Sequence, residues 1–142
     1  MAKHKDIIGY ENKGDFRSVV LEDLLKMYSS NNFVSIIKIP SKKKSTKKAL
    51  NSTLDTESLG IIQKFIEEKK INLKNFAPSK SNEIKPLYLF LDEEVLLYAK
   101  LKNLKFKKVQ EKKNKISNFI SELEEKHPEI KRAVINQYLE LK

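Results

Sequence analysis

Ile84–Asn103, IKPLYLFLDEEVLLYAKLKN, is the stretch from which the fold is read. Ile84 to Leu91 is apolar and aromatic apart from Lys85 and Pro86. Pro86 has no N–H for a ladder, so this half predicts a strand start or an edge strand turning a corner. Asp92 is a suitable helix cap, and Glu93 and Glu94 place negative charge on a first turn, where the helix dipole favours it. Val95, Tyr98 and Ala99 fall on one stripe, widened by Leu91 and Leu101. Lys100 and Lys102 suit a helix end, and Asn103 can close it in a left-handed conformation. The unit is a strand followed by a helix, the repeating element of an α/β domain.

The flanking chain continues the alternation. Asp15 caps a helix predicted to run to about Tyr28, with Phe16, Val19, Val20, Leu24 and Met27 at helical spacing. Ser29–Asn32 reads as a turn. Phe33–Ile39 is β-branched and almost continuously apolar, the pattern of a strand covered on both faces, and Pro40 ends it. Leu54–Lys70 is a second helix, capped by Thr53 or Asp55, with Leu59, Ile62, Phe65 and Ile66 as its expected core face. Ile71–Glu83 reads as a loop. Leu104–Val109 alternates apolar and basic residues, as an edge strand does with Lys105, Lys107 and Lys108 outward. Beyond it, Ile116, Phe119, Ile120 and Leu123 form a helical stripe, Pro128 forces a break, and Ile130, Ala133, Val134 and Tyr138 resume the stripe. Residues 1–142 thus read as a single α/β domain, with an α/β part over 1–110 and a helical segment over 111–142.

The chain has 142 residues, with Lys+Arg of 29 against Asp+Glu of 19 and a formal net charge of +10. That balance suits a polyanionic partner, of which nucleic acid is the commonest. The charge is concentrated at Lys42, Lys43, Lys44, Lys47 and Lys48, interleaved with Ser45 and Thr46. Such a run is either a solvated loop or a phosphate-contacting one. The absence of Trp weighs against a single-strand stacking platform. There is no run of apolar residues long enough to span a membrane. The segment MAKHKDIIGYENKGD lacks the apolar core of a signal peptide, which points to the cytoplasm. With no cysteine, the chain supplies neither disulfides nor thiolate ligands nor a thiol nucleophile. His127 has no second ligand at metal spacing, so no metal site is expected.

Three segments resemble the tRNA wobble-uridine 2-thiolation family of the pyrophosphate-loop, alpha-hydrolase group. Lys85, Pro86, Leu87, Glu94, Val95, Tyr98 and Ala99 match a late K-P-L … E-V … Y-A segment. Leu54, Asp55 and Glu57 match the family's G-H-N-L-D-D-E-A-Q segment, although Asn51, Ser52 and Thr56 replace its Gly, His and second Asp. Ile120–Lys131, ISELEEKHPEIK, is similar to the phrase L-N-E-L-E-E-K-H-P-G-x-K before a final short helix. The resemblance covers about residues 50–142 and implies a partial doubly wound, Rossmann-like parallel sheet, equivalent to the family's second half, with flanking helices and a helical C-terminus.

It also implies a tRNA partner, contacted by the lysines named above and by Lys131 and Arg132. Catalytic members carry an early S-G-G-x-D-S loop that cradles ATP and use cysteines for sulfur chemistry. Here Gly9, Gly14 and Gly60 are the only glycines, none adjacent, and no cysteine occurs. The resemblance therefore implies a non-catalytic or split subunit with no cofactor of its own, ATP being held by a partner. That partner is a catalytic pyrophosphate-loop protein or a second copy of the chain. The alternative is a stand-alone basic RNA-binding module.

Overall fold

Ile8 is fully buried because its strand lies inside the sheet. The computed structural model describes residues 6–32, 34–67, 76–80, 82–108 and 115–141. In it, β1 (Ile7–Tyr10) pairs in parallel with β2 (Ser35–Lys38) on one side and β3 (Lys47–Ala49) on the other. β5 (Glu83–Ile84) adds to β3, also in parallel, and β4 (Ser79–Lys80) closes that edge antiparallel to β5. The order β2-β1-β3-β5-β4 makes a parallel-dominated α/β sheet whose winding reverses between β1 and β3.

α1 (Phe16–Asn32) links β1 to β2 and presents Val20, Leu21 and Leu25 to Ile8, Tyr10 and Ala49 of the sheet. α3 (Asp92–Leu101) joins this core through Val95 and Ala99. The other face of β1 is treated differently. Residues 39–46 carry the chain from β2 to β3 without a helix, a short route for a parallel connection. They press so closely on Gly9 that a Cβ there would meet Ile39 Cδ1 at 2.7 Å and Ser45 Oγ at 2.8 Å. A side chain here would have to push Ile39 and Ser45 of the crossover aside.

α2 (Leu54–Ile66) packs against α5 (Ile130–Glu140), and Leu54, Ile61, Tyr88, Ile135 and Tyr138 form a second apolar cluster. α4 (Lys115–Lys126) precedes α5, and the break between them falls at Pro128 as its ring requires.

Several expectations are corrected. α1 continues to Asn32, through the predicted turn. β2 is an edge strand with Ser35 and Lys38 exposed, so its apolar run is covered less than a two-faced strand. Lys47 and Lys48 belong to β3 rather than to a loop. Within the loop predicted between α2 and Ile84, β4 and the start of β5 form a short hairpin. In α2 the buried positions are Leu54, Glu57, Ser58 and Ile61, leaving Phe65 60% exposed, so the face is rotated from the apolar stripe. Leu91, not Asp92, occupies the cap of α3, and the Glu94 carboxylate accepts its N–H at 2.9 Å. Leu101 lies off the buried face, while Asn103 has the expected left-handed φ of 56°. Residues 104–108 form no strand, yet Leu104 and Phe106 do pack inward and Lys105, Lys107 and Lys108 outward. In α5, Ile135 rather than Ala133 is buried beside Tyr138. Phe33, Lys70, Val109 and the 110/111 boundary lie outside the described residues.

Candidate functional site

In an open α/β sheet, ligands sit beyond the carboxyl ends of the strands where the winding reverses. Here that place is the turn Glu11–Asp15 after β1, beside Leu50 and Asn51 after β3. A cleft of about 320 Å³ opens there, lined by Glu11, Lys13, Ser18, Lys48 and Asn51 among others. Gly14, at φ 85°, lets the turn reverse, and its N–H donates to Asn12 Oδ1 at 2.9 Å. Asp15 then caps α1: its carboxylate accepts the Ser18 N–H at 3.2 Å and its carbonyl the Val19 N–H at 3.1 Å. The positive end of α1 is thereby satisfied by a side-chain anion. Glu11 brings a second carboxylate, 3.4 Å from the Lys48 ammonium. Asp15 thus takes the place at the helix end that an anion would otherwise fill, while Lys13 and Lys48 line the same cleft.

A second cluster joins the starts of four helices, α1, α2, α3 and α5. The Arg17 guanidinium grips Asp92 through both oxygens, Nε to Oδ1 at 2.9 Å and Nη2 to Oδ2 at 2.5 Å. Thr53 caps α2 and donates its hydroxyl to the same Asp92 at 2.7 Å. Asp55 accepts the Asp92 N–H at 2.5 Å and the Lys131 ammonium. Lys131 also pairs with Glu124 at 2.6 Å. Burial pulls the Lys131 pKa down, but hydrogen bonds to Asp55 and Glu124 carry it above its ordinary value. Beside these groups lies a cleft of about 630 Å³, lined also by Ser117, Ser121, Glu122 and Glu125. Arg17 belongs to none of the sequence motifs. Its signal was present: a cation in the first turn of a helix opposes the dipole, and needs a carboxylate to hold it.

The motif positions turn out to tie elements together. Glu57, which first-turn dipole complementation would leave at the surface, is buried against Lys85. Pro86 and Leu87 turn the chain between β5 and α3, where Tyr88 donates its hydroxyl to the Phe76 carbonyl at 2.6 Å. Glu94 pairs with Arg132 at 2.6 Å, and the Tyr98 hydroxyl donates to Asp23 at 2.6 Å. Leu54 and Ala99 are core residues.

The candidate phosphate-contacting residues divide in three. Lys42, Lys43 and Lys44 are exposed on the crossover, as are Lys105, Lys107 and Lys108 after α3. Lys107 donates its backbone N–H to the Gly14 carbonyl at 2.7 Å, which sets that segment against the first β–α turn. Lys47 and Lys48 are half-buried in β3. Lys131 and Arg132 face carboxylates of their own chain.

No protein-family model matches the chain, and no curated protein matches it in sequence. Among solved structures it is similar to the U34-tRNA thiolase NcsA from Methanococcus maripaludis, determined with its 4Fe-4S cluster. The TM-score is 0.72 at 16% sequence identity, over 99% of this chain and 73% of that one. The likeness takes in residues 1–49, which the sequence resemblance left out, and it shows a shared α/β fold. A cluster of that kind is held by thiolates, and this chain has no cysteine, so its residues do not fit one. Among the described residues no helix is long and apolar enough to cross a membrane.

Proposed function

We propose that this chain is a non-catalytic, cytoplasmic RNA-binding subunit of a tRNA thiolation system that modifies the wobble uridine. It binds tRNA and a catalytic pyrophosphate-loop protein that supplies ATP binding and thiolate chemistry. The observation that carries the reading is the turn Glu11–Asp15, which precedes α1, holds a single glycine and is capped by Asp15. The sheet is built like that of a tRNA thiolase, but the turn that would cradle phosphate has Gly14 alone in place of adjacent glycines. The presence of this refashioned turn favours a diverged companion subunit over one half of a split enzyme, which would lack the position or leave it open. Exposed Lys42–Lys44 and Lys105, Lys107 and Lys108 supply the RNA contacts. Because those lysines need no partner to act, they equally support a stand-alone basic RNA-binding module as the second reading.

The test is capture of the tagged full-length chain from its own cells, identifying the RNA and protein that come with it. The subunit reading expects tRNA together with a cysteine-bearing protein that has an S-G-G-x-D-S loop. Mixed RNA without such a protein leaves the stand-alone module, and no RNA at all overturns both. Adenylation of tRNA by the purified chain alone would also overturn the non-catalytic assignment.

A further inference from the structure

Three basic segments meet around the carboxyl end of β1. The crossover begins there, where Ile39 donates its N–H to the Tyr10 carbonyl at 2.7 Å. It carries Lys42–Lys44 back along the strand to a second anchor, the Thr46 N–H on the Ile7 carbonyl at 2.8 Å. The two anchors are about 10 Å apart, three residues of strand. Lys13 stands exposed in the turn after β1, next to Gly14. Lys107 donates its own N–H to the Gly14 carbonyl at 2.7 Å, which sets Lys105, Lys107 and Lys108 beside that turn.

The carboxylates of this neighbourhood are engaged elsewhere: Glu11 by Lys48, Asp15 by the start of α1, and Asp6 by Thr46. The band therefore keeps its positive charge, but it has no stacking surface. Phe106, between Lys105 and Lys107, turns inward against Phe16 with ring centroids 6.4 Å apart, and Tyr10 is buried. The exposed phenylalanines, Phe65, Phe90 and Phe119, belong to α2, to the corner before α3 and to α4. Proteins that hold single-stranded RNA combine a basic groove with aromatic side chains on which the bases stack. Duplex RNA keeps its bases stacked inside and is held through phosphates and sugars, and two strands make the denser array of charge. Lysines without aromatics fit the duplex.

We propose that this lysine band is a duplex-RNA surface, which grips the paired stem of a folded RNA by its phosphates and without regard to sequence. This rests on the RNA-binding reading above and narrows it, since the part of the RNA held here is helical and not a loop.

The test is a fluorescence-anisotropy titration of the full chain at about 0.1 M salt. Its probes are an unmodified tRNA transcript, an RNA duplex of about 16 base pairs, and a non-pairing single strand of about 16 nucleotides. The duplex should bind about tenfold or more tighter than the single strand, a duplex of scrambled sequence should bind equally, and unlabelled duplex should displace the tRNA. Lys43→Glu and Lys107→Glu, one in the crossover and one beside the turn, should each weaken duplex binding about tenfold or more. Both positions are exposed, and thermal melts confirm that the variants fold. Binding of tRNA that the single strand displaces and the duplex does not overturns the duplex proposal and leaves the RNA reading standing. A sequence preference among duplexes, or a loss from only one of the two variants, overturns the proposal as well. Binding to none of the probes sinks both.

Discussion

The Glu57 carboxylate lies 2.9 Å from the Lys85 ammonium, with the two side chains only 8% and 5% exposed. The pair fastens α2 to the corner that leads into α3. Removing one member leaves a charge buried without its counterion, which costs far more than removing both. Glu57→Gln should therefore lower unfolding free energy by about 3 kcal/mol or more, while Glu57→Met/Lys85→Met stays close to the parent. Urea denaturation of the three proteins checks this, and equal losses in all variants would contradict it.

Thr53 does two things, capping α2 and donating to Asp92. Thr53→Ala should cost about 1–2 kcal/mol, and Thr53→Ser, which keeps the hydroxyl, much less. The comparison of melting temperatures decides; similar losses from both would mean that the methyl packing matters and the hydroxyl does not.

Gly9 lies directly under the crossover, where a Cβ would sit 2.7 Å from Ile39 and 2.8 Å from Ser45. Gly9→Ala should destabilise by about 1–3 kcal/mol through overpacking. Hydrogen exchange should localise the loosening to residues 39–46 and their pairing with β1. Unchanged protection there would contradict the placement.

Alkaline conditions should unfold the protein earlier than its composition suggests. The hydrogen bond to Asp23, with burial, pushes the Tyr98 pKa up to about 12 from 10.0. Burial and nearby Glu22 raise Tyr10, and burial and Glu57 raise Tyr138. The folded state holds these protons after the unfolded chain has released them. The stability they contribute is complete below about pH 10 and is lost as pH rises through about 12. Denaturation midpoints of Tyr98→Phe should fall less steeply across that window than those of the parent.

The lysines separate by salt dependence. Replacing Lys42, Lys43 and Lys44 by Ala should weaken tRNA binding and shallow the slope of log K against log salt by about 0.7–0.9 per lost contact. The same holds for Lys105, Lys107 and Lys108. Lys131→Ala should instead lower stability and leave the slope alone, because its ammonium is engaged by Asp55 and Glu124.

The five helices and β2 were legible from local pattern, as were the Asp15 cap, the break at Pro128 and the left-handed Asn103, whereas Ile84–Leu91 is strand only at Ile84 and turns thereafter. These depend on neighbouring residues only. What escaped depends on residues far apart in sequence. Lys47 and Lys48 look like loop residues because their strand is three residues long and basic, and it is specified by β1 and β5 on either side. Phe65 looks like core, but the face of α2 is set by where Tyr88 and Ile135 arrive. Arg17, Asp92, Asp55 and Lys131 are spread over the chain, and nothing in any one segment says that they meet. The motif positions carrying the family resemblance were visible, but their role in joining elements was not.

The interior position of β1 also orders events in time. Its partner β2 follows after one helix, so that pairing forms from nearby chain. The partner on its other flank, β3, and beyond it β5, arrive only after longer stretches have emerged, and their pairing closes larger loops. During synthesis the β1 edge that will receive β3 stands open, and so does the face that residues 39–46 will cover. The interval before Lys47–Ala49 docks is when this chain is most exposed to pairing with the wrong strand.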